Sequence, residues 1–154
     1  MLSAKYEALK NYLIESGEAT AEELTEDVSA VYNENWKTFE IIGQEYKVLT
    51  DEEANEETAD YIKESLWAFN AEFILQHSSA YEETTNRKDE EIIKALRYMQ
   101  GVLCESANAL VKALISDLET FISDAIEADG RGHFISSWDG IENESGDFYI
   151  YRTN

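Results

Sequence analysis

Residues 36–70 read WKTFEIIGQEYKVLTDEEANEETADYIKESLWAFN, and the hydrophobic period changes once along them. Over 36–42 aromatic and β-branched residues crowd together, Gly43-Gln44 has turn chemistry, and 45–49 resumes an extended pattern. Bulky side chains at period two, bounded by turn residues, predict a hairpin over 36–49. Thr50 then opens the run T-D-E-E, a capping-box pattern with acids massed in the first turn, where the helix dipole favours them. Ala54, Tyr61, Ile62, Leu66 and Trp67 follow near helical spacing. A strand pair leading directly into a helix places the chain in the α+β class.

The elements on either side extend this reading. Tyr6, Leu9, Leu13 and Ile14 fall at helical spacing, with Ser3 as a cap and Gly17 as a stop. The run T-A-E-E at Thr20 predicts a second helix carrying Leu24, Val28 and Val31 inward, so residues 1–35 form a helical subregion. Downstream, Phe69, Phe73, Ile74 and Leu75 make a short apolar stretch, and 78–89 is polar and loop-like. The pattern over 89–128 is helical, with a break at Gly101. Its core face comprises Ile92, Ile93, Leu96, Met99, Leu103, Leu110, Leu114, Leu118, Phe121, Ile122 and Ile126. Proline is absent, and four of the seven glycines stand at 130, 132, 140 and 146, so breakers are concentrated at the end. There the composition predicts strands over 133–137 and 147–152 joined by a polar loop. An isolated hairpin is marginal in water. The 36–49 hairpin and the C-terminal strands are therefore expected to share one small antiparallel sheet on the helices. The expected architecture is a single, mostly helical α+β domain spanning 1–154.

Hydrophobic residues make up 44% of the 154, enough for a packed core, yet 33 acids stand against 12 bases for a net charge of −21. Solubility asks only for a magnitude of roughly 2–8 in a small domain. So large an excess repels nucleic acid and anionic membranes, whose recognition depends on Lys and Arg, and favours basic protein surfaces. Cys104 is the only cysteine, which excludes an intrachain disulfide and a cysteine-built zinc site; its apolar neighbours predict burial. Residues 1–16 carry charges at 5, 7, 10 and 15 and do not read as a secretory signal, and no apolar run is long enough to span a membrane. An intracellular location is expected.

The densest charge is Asp51, Glu52, Glu53, Glu56, Glu57, Asp60 and Glu64, seven acids in fourteen residues, with only Lys63 in local opposition. Helical spacing puts 53, 56, 57, 60 and 64 along one face. Such a row reads either as a solvated face or as a partner-binding surface. In the second case carboxylates roughly 5–6 Å apart along the axis approach the phosphate spacing of a nucleic-acid strand, roughly 7 Å. Tyr61 and Trp67 would add contact area or core. Calcium-loop spacing is missing from the run.

The segment ADGRGHFISSWDG at 128–140 gathers His133, Ser136, Ser137 and Asp139, which invites a hydrolase reading. It lacks a nucleophile elbow, and triads assemble from separate elements. A structural role fits better, with Gly130 ending a helix, Gly132 permitting a tight turn and Arg131 pairing with nearby acids. Asp139, Glu142, Glu144 and Asp147 lack the calcium-loop register and read as a solvated loop. No residue set supports an enzyme, and neither a cofactor nor a metal is expected.

Three segments also carry a resemblance: YKVLTDEEANEETADYIKESLWAFN at 46–70, IIKAL at 92–96 and DAIEADGRGHFISSWDGIENESGDFYIYRTN at 124–154. Together they resemble a family of small acidic proteins encoded by bacteriophages, whose members carry similar VLTDEEAD, SLWAFN and DGRGHF motifs. The resemblance covers roughly 46–154 and brings no assigned catalytic or binding residues. It implies a phage protein made in a bacterial host cytoplasm. In that setting an acidic protein is expected to inhibit a host nucleic-acid-handling protein, of the anti-CRISPR or anti-restriction class, by binding its basic surface as a nucleic-acid mimic. The alternative is an acidic adaptor or structural interaction protein of phage origin that binds through apolar contacts.

Overall fold

The computed structural model describes residues 1–24, 31–79 and 90–154. Among the described residues it is α+β, with more helices than strands and one five-stranded antiparallel sheet. The chain divides into two compact units, one of Met1–Thr58 with Asp129–Asn154 and the other of Ala59–Ala128.

The first unit is built on the sheet. Strands β1 (Val31–Asn33), β2 (Thr38–Ile41), β3 (Gln44–Leu49), β4 (Asn143–Ser145) and β5 (Phe148–Arg152) run in the order β1-β2-β3-β5-β4. The expected hairpin is β2–β3, and the expected sharing of one sheet is the β3–β5 pairing, with Val48 opposite Ile150. Its two-residue turn is Ile42-Gly43, one position earlier than the composition indicates, with φ of 52° and 72°. Positive φ at both turn residues matches the twist of paired strands, as in type I′ turns. Period-two alternation then gives the sheet two buried faces. Helix α1 (Leu2–Glu15) lays Leu9 and Leu13 on Phe39, Tyr46, Val48 and Ile150, and Tyr6 stacks on Phe39. Leu49 and Tyr151 point the other way and pack with Ala54 and Ile135.

Several expectations give way here. Residues 133–137 do not form a strand: Arg131–Ile135 is a short helix, α7, followed by Ser136 and Ser137 bonded to the last strand's end. Close approach of residues 140–142 to Gly132 and burial of Phe134 and Ile135 override the strand propensity of HFIS. The polar stretch before β5 contains β4, whose Ser145 is buried and donates its hydroxyl to the Ala8 carbonyl. Thr20 and Glu23 make the reciprocal capping bonds, yet residues 21–24 form only turns, and Val31 lies exposed in a strand. Val28 and the rest of that expected helix lie outside the described residues. Trp36 is exposed in the turn before β2 rather than in a strand.

The second unit is helical. The latter half of α2 (Asp51–Glu64) leads through a 3-10 turn at Leu66–Ala68 to α3 (Ala71–Gln76), α4 (Glu90–Leu103), α5 (Asn108–Leu114) and α6 (Leu118–Asp129). Phe69, Phe73 and Phe121 interlock their rings with the His77 imidazole, which bridges the Phe73 carbonyl and Asp124, each at 2.9 Å. Gly101 does not break α4; the helix ends at Leu103, and the next residue, Cys104, has φ of 47°. Against expectation Cys104 is exposed, and so are Leu103, Leu110 and Leu114, while Ile93, Leu96 and Val111 are buried. Of the 78–89 loop, residues 80–89 lie outside the described residues.

Candidate partner-binding surface

Helix α2 starts where its capping residues place it. The Thr50 N–H donates to Glu53 Oε2 at 2.8 Å, and the Glu53 N–H donates back to Thr50 Oγ1 at 3.3 Å. Ala54, Thr58 and Ile62 are wholly buried at intervals of four, and the Thr58 hydroxyl is satisfied by the Ala54 carbonyl. One stripe of the helix is thus committed to packing.

That commitment sorts the seven acids into two sets. Glu53 accepts from Lys5 of α1 at 2.5 Å, Glu57 pairs with Lys47 of β3, and Asp51 receives Arg131 at 2.7 Å. Burial pushes Glu53 up, but Lys5 and the Thr50 amide outweigh it and hold its carboxyl below the ordinary value. Glu52, Glu56, Asp60 and Glu64 are exposed, and only Asp60 has a partner among the described residues, Lys63 at 3.1 Å. Spaced by four residues, these acids advance about 6 Å at each step along the axis. The outward row is therefore 52, 56, 60 and 64, and Glu53 and Glu57 leave the face on which helical spacing alone had put them. Tyr61 is exposed beside the row, and Trp67 is half-buried just beyond the helix, its backbone N–H donating to Asn108 Oδ1.

The 128–140 segment is a clamp. Gly130, with φ of 78°, ends α6 and starts α7. Arg131 grips Glu142 through two bonds, Nε at 2.8 Å and a terminal nitrogen at 2.9 Å. Its other terminal nitrogen reaches Asp51 and Asn55, and its guanidinium lies 4.3 Å from the centre of the Tyr149 ring. Burial pushes Glu142 up, yet Arg131 and the Tyr151 hydroxyl together hold it below its usual range. Burial first, and then the bond to Glu142, raises Tyr151. Gly132 is required because a Cβ there would lie 2.4 Å from the Gly140 carbonyl oxygen. Its role is close approach of two backbones, not the turn expected. Among the described residues His133 makes no hydrogen bond to Ser136, Ser137 or Asp139; Ser136 instead bonds Asp139 and the Arg152 carbonyl. Glu142, read as part of a solvated loop, is spent on Arg131, and no group of three or more metal-ligating side chains stands together among the described residues.

A second surface was missed. Tyr98 and Val102 of α4, exposed by 74% and 59%, and Leu110 and Leu114 of α5 turn outward. Leu110 and Leu114 have the periodicity of the expected core face, on which the pattern does not distinguish them from Leu96, whereas Tyr98 and Val102 lie off that face.

Scanned against protein-family models, curated proteins and solved structures, the chain matches none. No helix among the described residues is long and apolar enough to cross a membrane.

Proposed function

We propose that this is an acidic inhibitor of the phage type that binds the basic surface of a host nucleic-acid-handling protein, of the anti-CRISPR or anti-restriction class, in the host cytoplasm. The observation that carries the reading is the outward row Glu52, Glu56, Asp60 and Glu64 on a chain of net charge −21. Its step of about 6 Å is close to the strand phosphate spacing of roughly 7 Å, so a cationic channel built for phosphates would meet a similar array of negative oxygens. The long-range field of the whole chain adds steering toward such a partner. No catalysis is required for this function, since occupation of the channel is enough.

The test is affinity capture from phage-infected and defence-bearing lysates at low and high salt, with the wild type and with a variant carrying E52Q, E56Q, D60N and E64Q. Capture of a basic effector that is lost both at high salt and in the variant is the expected result. Equal capture by the variant would overturn the assignment of the surface.

A second reading rests on the exposed apolar residues of α4 and α5: an adaptor that binds a phage or host protein through Tyr98, Val102, Leu110 and Leu114, its charge serving solubility. Apolar contacts are little affected by screening, whereas exposed charge pairs weaken beyond a Debye length of about 8 Å at physiological salt. A partner retained at high salt and lost in Val102→Ser would favour it.

A further inference from the structure

We draw no further inference here: the strongest candidate, the outward apolar surface of α4 and α5 around Tyr98, Val102 and Leu110, has nothing in the structure to show what covers it.

Discussion

Gly132→Ala and Gly101→Ala make the same chemical change in two helices and should move stability in opposite directions. At Gly132 the added methyl would lie 2.4 Å from the Gly140 oxygen, 2.7 Å from the Glu142 nitrogen and 2.7 Å from the Ile141 carbonyl carbon, all backbone atoms. The closest of these is about 1 Å short of the 3.4 Å where ordinary contact begins. Residues 140–142 cannot retreat freely, because Glu142 is held by Arg131 and Tyr151 and the Ile141 N–H by Asp139. Overpacking of this kind costs about 1–3 kcal/mol, and loosening the charge-assisted Arg131–Glu142 pair adds about 1.5–3 kcal/mol. Higher helix propensity returns no more than about 1 kcal/mol. The net expectation is a loss of about 1.5–5 kcal/mol, or roughly 3–20 °C in Tm for a chain of this size. At Gly101, inside α4 and exposed, an added Cβ meets nothing within 4 Å. Alanine should there stabilise by about 0.5–1 kcal/mol. Urea unfolding followed by circular dichroism and tryptophan fluorescence measures both. A Gly132→Ala protein within about 0.5 kcal/mol of wild type, or the two variants shifting together, would refute the close-approach argument.

Ile42 is a β-branched residue at φ of 52° in the hairpin turn, so Ile42→Asn should stabilise by about 1 kcal/mol in the same urea assay. Neutralising the outward row with E52Q, E56Q, D60N and E64Q should raise Tm by relieving repulsion, and added NaCl should raise wild-type Tm more than that of the variant. Glu53 and Glu142 are held below their ordinary values. Their contribution is therefore complete above the unfolded carboxyl value near pH ~4.3 and is lost as pH falls through the folded values. Arg131→Met, by leaving Glu142 half-buried without its partner, should lower stability by about 2–4 kcal/mol and move acid unfolding to higher pH. Tyr12 is pushed up to about 12 by burial and Glu18, and Tyr46 and Tyr151 are raised further. These groups hold their protons more tightly when folded, so stability is complete below pH ~10 and falls as pH rises beyond it, by up to about 1.4 kcal/mol per pH unit for each tyrosine. An alkaline titration of Tm with no decline starting near pH ~10 would contradict their burial.

The sequence alone determined what its near neighbours could settle. The hairpin, found at 38–49 rather than 36–49, was legible because alternation and one glycine act over a few residues. The start of α2 was legible because Thr50 and Glu53 are capping partners three apart, and charge was legible because it is a sum. Tertiary structure decided everything that depends on a distant partner. Thr20 and Glu23 have the same capping chemistry as Thr50 and Glu53, yet residues 21–24 form only turns. HFIS favours a strand locally, but its first three residues are helical where Gly132 packs against residues 140–142, and the polar Ser145 enters the sheet with its hydroxyl accepted by the Ala8 carbonyl. Leu110 has the spacing of a core residue yet lies exposed. The acidic row shows the division most plainly. Seven similar carboxylates follow one another along α2, and among the described residues Lys5, Lys47 and Arg131, brought in from elsewhere in the chain, separate those that hold the fold from those left to face solvent. A carboxylate's charge is local, whereas its pairing depends on which cation the fold brings within a few ångströms.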